Sequence, residues 1–239
     1  MFKYIKAFFK GLYKIVLAYP KIRKYAKNKD KYPIEERYAY ARKLIKILVE
    51  AFDVEVNTEG LEKLDNNDTY LFVCNHQGFM DSLIFVYLFE KPLSFVAKIE
   101  SRKYPIVGKV IYFIDTIFID RDNIRDAVKM IKTSSQRLNE GKNVVIFPEG
   151  TRTKDVNKVP GEFKAGALKT VYETNKKIAS FAIDGSYKVF SKKHKNGIKV
   201  QFKLIDIIDY ENYKDKKTTE LAKEIETATI QTVIEMSKQ

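Results

Sequence analysis

One histidine stands five residues before an aspartate in the segment CNHQGFMD, residues 74–81. The histidine, His76, is one of only two in the 239-residue chain, and it follows an apolar run. Neither a strand nor a helix brings side chains five residues apart together, but a loop can, and Gly78 permits a tight one. Asp81 could then bind one ring nitrogen and leave the other free to accept a proton. The pair indicates general base chemistry, and the same spacing also fits a histidine satisfied by local hydrogen bonds.

A second polar segment, FPEGTR at residues 147–152, follows another apolar run. Gly150 and Thr151 offer backbone and hydroxyl donors, and Arg152 offers a planar fork suited to phosphate. Glu149 is an acceptor for a hydroxyl group or for Arg152. Alone, the segment fits a turn with a surface ion pair equally well. Ligands of open α/β sheets gather at the carboxyl ends of strands, where both segments are expected to lie.

The elements that must position these residues follow from the hydrophobic pattern. Seven apolar, β-branched or aromatic runs are the predicted strands, at residues 54–58, 69–74, 93–97, 117–120, 143–147, 178–183 and 198–205. Helical patterns lie between several of them, at residues 82–88, 122–139 and 165–174. This alternation predicts an α/β fold with a mixed, largely parallel sheet flanked by helices. No G-x-G-x-x-G or P-loop pattern follows any predicted strand, so a nucleotide site has no support.

The N-terminal region has a different pattern. Lysines recur at steps of three and four, and apolar or aromatic residues fill the other face, at Phe2, Ile5, Phe8, Phe9, Leu12, Ile15, Val16 and Tyr19. This period fits an interfacial helix on an anionic membrane, or an ordinary helix packed on the domain. Pro20 and residues 27–33 are expected to break it, and Pro33 to open a second helix over about residues 34–52. The predicted organisation is a helical hairpin, 1–52, for which membrane docking is one of these two interpretations, and an α/β domain, 53–239.

Composition narrows the classes of partner. The net charge of +13 favours anions, whether nucleic acid, anionic lipid, phosphorylated ligands or acidic proteins. A single cysteine excludes an internal disulfide, and with two histidines a metal site is not expected. No signal-peptide pattern is present, and no apolar run reaches the ~20 residues that span a bilayer. We therefore expect a protein that is neither secreted nor integral to a membrane.

Four ordered segments resemble the glycerolipid acyltransferase family, and within it the 1-acyl-sn-glycerol-3-phosphate acyltransferases. The N-H-x-x-x-x-D motif matches at Asn75, His76 and Asp81. The other motifs match at Lys98, Glu100, Pro105, Gly108, Asp120 and Arg121, then at residues 147–152, then at Phe163, Lys164, Gly166 and Ala167. The resemblance covers about residues 70–190. A Val-Pro or Ile-Pro strand, frequent near the family's fourth motif, is replaced here by the proline-free segment IASFAIDGS.

The resemblance implies an enzyme of phospholipid biosynthesis. It would move a fatty acyl group from acyl-CoA or an acylated carrier protein to the sn-2 hydroxyl of lysophosphatidic acid, giving phosphatidic acid. His76 would be the general base, oriented by Asp81. The implied substrate-binding residues are Lys98, Arg121, Glu149, Gly150, Thr151 and Arg152.

The resemblance also implies an environment. No bound cofactor or metal is expected, and the lipid substrate favours a peripheral protein on the cytoplasmic face of an anionic membrane, without a nucleic-acid partner. Three alternatives stay open. Cys74 and His76 could form a Cys-His thioester site. The acceptor could be glycerol-3-phosphate or another lysolipid. The chain could also be a basic nucleic-acid- or membrane-binding protein without activity.

Overall fold

The computed structural model describes residues 11–120, 123–153, 159–190 and 197–238. Residues 11–17 are helical. The helices that follow are α1 Tyr19–Lys27, α2 Ile34–Ala51, α3 Met80–Leu88, α4 Val107–Phe113, α5 Ile124–Asn139, α6 Lys169–Tyr172 and α7 Thr218–Met236. The strands are β1 Val54–Glu59, β2 Tyr70–Cys74, β3 Leu93–Lys98, β4 Ile117–Ile119, β5 Asn143–Ile146, β6 Lys177–Asp184 and β7 Ile198–Ile208. None of the helices in these ranges has the length and apolar content needed to cross a bilayer.

The seven strands form one sheet in the order β1-β7-β6-β2-β5-β3-β4. The five strands from β6 to β4 are mutually parallel. Strand β7 is antiparallel to β6, and β1 is parallel to β7. The predicted mixed, largely parallel sheet is confirmed, and each predicted strand overlaps an observed one. The carboxyl ends of the five parallel strands therefore share one edge of the sheet, called here the carboxyl edge.

Strand β2 shows how both faces of the sheet are covered. Its five residues, YLFVC, are all buried. Tyr70, Phe72 and Cys74 pack in the core on the side of α2 and α3. Leu71 and Val73 pack on the opposite side, with residues of α6 and α7. Because successive side chains of a strand point to opposite faces, a strand covered on both sides must be apolar throughout.

The helices before the sheet continue further than the sequence indicates. The amide of Ala18 donates to Lys14 O and that of Ile22 donates to Ala18 O, both at 3.0 Å, so helical bonding passes through this region. Pro20 lies in the first turn of α1, where a missing N–H removes no hydrogen bond. The first helical segment and α1 are separated at Ala18, two residues before Pro20, and residues 28–33 separate α1 from α2, so an interruption lies near both predicted positions. Residues 2–10 of the predicted first helix lie outside the described ranges.

The two N-terminal helices are packed into the body of the protein. Ile22, Tyr25 and Tyr38 belong to the same apolar cluster as Phe72 and Phe181 of the central strands. The predicted boundary between residues 52 and 53 falls between α2 and β1, and it stays a prediction.

Polar contacts of the buried Arg37 also connect α2 to the rest of the protein. The guanidinium of Arg37 donates to Phe113 O, and its Nη2 lies 3.0 Å from Asp115 Oδ2. Lys29 Nζ approaches the other oxygen of Asp115 at 2.6 Å. Helix α2 is thus fixed to the turn that follows α4.

Candidate active site

The loop between β2 and α3 brings His76 to Asp81. Strand β2 ends at Cys74, and Asp81 is the second residue of α3. His76 Nδ1 lies 2.7 Å from Asp81 Oδ2, and the Asp81 side chain has no exposed surface. The same oxygen accepts the amides of Gln77 at 2.7 Å and Gly78 at 2.9 Å. A carboxylate at the start of a helix is also favoured by the helix dipole.

These contacts fix the tautomer of His76. Ser186 Oγ donates to Asp81 Oδ1, so both carboxylate oxygens receive donors. An ionised carboxylate only accepts hydrogen bonds, and the histidine must therefore donate through Nδ1–H. In the neutral ring, Nε2 then carries the lone pair. The arrangement presents a base whose second nitrogen can take a proton from a bound hydroxyl group.

The His76 ring rests on an aromatic side chain from the neighbouring loop. It stacks on Phe147, with the ring centroids 4.3 Å apart and the planes at 20°. The His76 side chain keeps 17% of its surface exposed. The ring is thus held on one face and at Nδ1, while part of it stays open to a substrate.

The amide side chain of Asn75 anchors the same loop to β6. Asn75 Nδ2 donates to Ile183 O at 2.9 Å, and Asn75 Oδ1 accepts the amide of Ile183 at 2.8 Å. Gln77 Nε2 donates to Asp184 Oδ1 at 2.8 Å. The loop is therefore fixed laterally to the end of β6 as well as to α3.

Glu149 connects the FPEGTR segment to the histidine loop. Glu149 Oε1 accepts the amide of His76 at 2.7 Å. Its Oε2 accepts Thr153 Oγ1 and the amide of Gly161, both at 3.0 Å. The residue is only 5% exposed, and this burial raises the pKa of its carboxyl group despite the donors around it. The sequence predicts a substrate contact for Glu149, but both of its oxygens have protein donors here.

Thr153 completes the connection from the other side. Its amide donates to His76 O at 2.6 Å. Its hydroxyl lies 2.9 Å from His76 O and 3.0 Å from Glu149 Oε2, and its single proton is shared between these two acceptors. Both backbone polar groups of His76 are consequently bound by residues of the 147–153 loop. This loop and the histidine loop hold each other at the carboxyl edge.

The remaining predicted site residues are less constrained. Gly150 has a positive φ of 67°, which favours glycine. Thr151 and Arg152 are exposed, and their side chains make no hydrogen bond or ion pair with the described parts of the chain. Lys98 ends β3 at the same edge and lies 2.9 Å from Glu100 Oε1. Arg121 lies outside the described residues.

Several contacts at this site escape sequence reasoning. Ser186, Thr153 and Phe147 touch the His76–Asp81 pair or its backbone, yet none was among the predicted site residues. Phe147 is the first residue of the predicted segment and Thr153 directly follows it, so their proximity could have been inferred. Ser186 follows β6, whose carboxyl end shares the edge with β2, but it is 105 positions from Asp81.

Cys74 is enclosed beneath the site. It has no exposed surface, and burial, followed by the charges of Asp81 and Glu149, raises the pKa of its thiol well above the usual value. A thiol in this state is a poor nucleophile. Among the described residues, no group of three or more histidine, cysteine, aspartate or glutamate side chains could hold a metal ion.

The chain shares this architecture with known proteins. A family model described as Acyltransferase matches residues 55–184, which is more than half of the chain. The chain therefore belongs to the acyltransferase family, and the resemblance seen in the motifs is confirmed at that level.

Two curated relatives are named for one activity. A probable 1-acyl-sn-glycerol-3-phosphate acyltransferase of Mycoplasma pneumoniae is 34% identical over 165 residues, which cover 66% of this chain and 59% of the relative. A 1-acyl-sn-glycerol-3-phosphate acyltransferase of Borreliella burgdorferi is 28% identical over 199 residues, 79% of each chain. The chain thus spans less than two thirds of the length of the Mycoplasma relative.

A solved structure shows the same fold. The 1-acyl-sn-glycerophosphate (LPA) acyltransferase PlsC from Thermotoga maritima superposes with a TM-score of 0.73, over 100% of this chain and 98% of that chain. The sequences are 22% identical, so this likeness concerns the fold.

Proposed function

We propose that this protein is a 1-acylglycerol-3-phosphate O-acyltransferase that converts lysophosphatidic acid into phosphatidic acid. The observation that carries the proposal is the His76–Asp81 pair, with Nδ1 bound at 2.7 Å and Nε2 left as the basic nitrogen. The family to which the chain belongs and the names of its relatives support the same reaction class.

The reaction needs one proton transfer and one acyl transfer. His76 Nε2 takes the proton from the sn-2 hydroxyl as its oxygen attacks the carbonyl carbon of an acyl thioester. The tetrahedral intermediate collapses, the carbon–sulfur bond breaks, and the imidazolium returns the proton to the leaving thiolate. Asp81 stabilises the imidazolium while it exists. The base contributes about 10²–10⁴-fold, and positioning of the two substrates must supply much of the rest.

The acceptor phosphate would be bound by the open part of the site. Arg152 offers a planar fork to the phosphate, and Gly150 and Thr151 offer further donors. Lys98 and Arg121 are additional candidates. Glu149 would act through its bonds to the His76 backbone. The acyl donor, acyl-CoA or an acylated carrier protein, is acidic, which suits a chain with a net charge of +13.

Acyl transfer from a radiolabelled thioester tests the proposal. Purified protein is offered lysophosphatidic acid and glycerol-3-phosphate in parallel. We expect phosphatidic acid from the first acceptor and a loss of about 10²–10⁴-fold in kcat for His76→Ala. Full activity of that variant would sink the mechanism, and preference for glycerol-3-phosphate would reassign the acceptor.

Docking on an anionic membrane is the second part of the proposal. Leu12, Tyr13, Val16 and Leu17 are 45–62% exposed on the first helical segment. Lys21 and Lys24 follow on α1 and have no carboxylate partner among the described residues. Their ammonium groups lie over tyrosine rings and keep their charge, and an apolar surface beside such lysines suits an interfacial helix in the headgroup layer. A peripheral protein on the cytoplasmic face would meet its lipid substrate there.

Vesicle flotation tests the docking. We expect the protein to float with vesicles that contain phosphatidylglycerol, and Leu17→Asp to reduce the bound fraction. Ile234→Asp is the matched control, because Ile234 is an exposed aliphatic residue of α7, 39% exposed. Equal flotation of the two variants would rule out the N-terminal surface as the docking site, and a preference for RNA over vesicles would favour the nucleic-acid alternative.

A further inference from the structure

The segment around residues 161–164 runs alongside the FPEGTR loop. The amide of Lys164 donates to Pro148 O at 3.1 Å, and that of Gly161 donates to Glu149 Oε2 at 3.0 Å. On the far side, the amide of Phe163 donates to Glu226 Oε2 of α7 at 2.7 Å. The backbone that carries Lys164 is therefore bound to the active-site loop and to a neighbouring helix.

The side chain of Lys164 lies across Gly150. A Cβ atom placed on Gly150 would be 3.2 Å from Lys164 Nζ, 3.4 Å from Cε and 3.5 Å from Cδ. The lysine thus occupies the space that any other residue at position 150 would fill. Its ammonium group lies beside the backbone that follows Glu149, the residue bonded to the amide of His76.

The charge of Lys164 has no carboxylate partner in the described parts of the chain. The residue is exposed, and within the described ranges its Nζ has no ion pair or hydrogen bond. The nearest carboxylate along the loop, Glu149, has donors on both of its oxygens. Arg152, two positions after Gly150, is also exposed and free of described partners. Two cations therefore flank one glycine turn, and neither is paired with a carboxylate of residues 11–120, 123–153, 159–190 or 197–238.

We infer that Lys164 is a substrate-binding residue that contacts the phosphate of the acceptor on the side of Gly150 where a side chain would otherwise lie. A phosphate monoester on a glycerol backbone has the charge and the oxygen acceptors to bind both cations. The absence of a side chain at Gly150 lets the lysine approach the loop. This inference rests on the proposed function and adds a phosphate contact to it.

The test removes the charge and keeps the stem. Lys164→Met retains the chain that covers Gly150, and Lys169→Met on α6 is the matched control for the loss of one exposed lysine. With lysophosphatidic acid we expect kcat/KM to fall about 10–100-fold in Lys164→Met, mainly through KM. With monoacylglycerol, which lacks the phosphate, the variant should match the wild type. Lys164→Arg should recover most of the loss.

Calorimetric titration with glycerol-3-phosphate reads the same contact without the reaction. Weaker binding by Lys164→Met than by Lys169→Met supports the contact even if the wild type transfers no acyl group, in which case the proposed reaction fails and the phosphate site stands. Equal binding by the two variants, or an equal fall of kcat/KM for both acceptors, overturns the inference. A purely structural lysine would affect both acceptors alike.

Discussion

The two halves of the site are built in opposite ways. In the half that holds the base, Asp81 and Glu149 are 0% and 5% exposed, and their oxygens accept hydrogen bonds from the protein. In the half suited to phosphate, Arg152 and Lys164 are exposed and without side-chain partners in the described parts of the chain. The fold thus orients the base and the two carboxylates that support it, and it leaves His76 Nε2 and the two cations available to a ligand.

The contrast has an energetic meaning. Hydrogen bonds to a buried charged group are worth about 1.5–3 kcal/mol each, and losing a partner there leaves unpaired groups behind. An exposed cation contributes little to stability. Substitutions in the first half should therefore reduce both catalysis and stability, whereas those in the second half should reduce only substrate binding.

The largest effect is expected for Asp81→Asn. An amide oxygen in the place of Asp81 Oδ2 could keep the contacts to His76, Gln77 and Gly78, but the neutral side chain no longer stabilises the imidazolium. With the amide nitrogen in that place, His76 Nδ1 becomes the acceptor and the tautomer with a basic Nε2 is lost. We expect kcat to fall about 10²–10⁴-fold with a smaller change in KM, and stability to fall by about 2–4 kcal/mol. Acyl-transfer kinetics and urea unfolding measure the two. A variant with wild-type kcat would show that the pair does not carry the reaction.

Arg152→Ala should have a smaller effect of a different kind. The side chain is exposed and has no described partner, so the melting temperature should stay within about 1–2 °C of the wild type. The kcat/KM for lysophosphatidic acid should fall about 10–100-fold through KM. Arg152→Lys should recover part of the loss, since lysine keeps the charge without the planar fork. A drop in kcat with an unchanged KM would show that Arg152 acts with the His76–Asp81 pair and not only in substrate binding.

Glu149→Gln should mainly lower the free energy of unfolding. The amide nitrogen of glutamine is a donor only, so it cannot replace the oxygen that accepts Thr153 and Gly161. We expect the free energy of unfolding to fall by about 1–3 kcal/mol. Burial raises the pKa of Glu149, so the folded state keeps this proton to a higher pH than the unfolded state does. The carboxyl group therefore adds stability below its raised pKa and loses it as the pH climbs from the usual glutamate value through the raised one.

The direction of the pKa shift of Glu149 predicts how the stability of the protein changes with pH. The stability advantage of the wild type over Glu149→Gln should be largest near about pH 4 and should shrink towards about pH 7. Urea unfolding at intervals across this range measures it. Parallel curves would mean that the carboxyl group is not perturbed by burial.

Cys74→Ala should change activity least. The thiol is fully buried with a raised pKa, so it takes no part in the proposed transfer. We expect kcat within about twofold of the wild type and a stability loss of about 1 kcal/mol from the removed sulfur. The informative contrast is with His76→Ala: if the cysteine variant were inactive and the histidine variant active, a covalent Cys-His mechanism would replace the one proposed here.

Sequence predicted the strands because parallel central strands are buried on both faces and read as continuous apolar runs. Strands β2 and β5 are buried along their full lengths, which is why their positions were clear. The direction of β7 was not predictable, since its alternating residues would suit either pairing direction. The interruption predicted at Pro20 lies at Ala18, because a proline is tolerated in the first turn of the helix that follows it.

The site was predictable only in part. The motif segments placed His76, Asp81 and residues 147–152 at strand ends, and the five parallel strands bring those ends to one edge. Ser186 could not be tied to Asp81, because contacts across 105 positions depend on strand order. Helix α7 was missed, although Leu221, Ala222 and Ile225 have helical spacing and are buried.

Arg37 and the cluster around Tyr38 have a practical consequence for anyone who handles this protein. Deleting residues 1–52 to improve yield would uncover Phe113, whose ring centroid lies 5.7 Å from that of Tyr25, and would leave Asp115 without Arg37. Because exposed apolar patches promote aggregation, we expect such a shortened chain to aggregate rather than to fold into an active enzyme. The segment that we propose to dock on the membrane must therefore be kept in any preparation meant for assay.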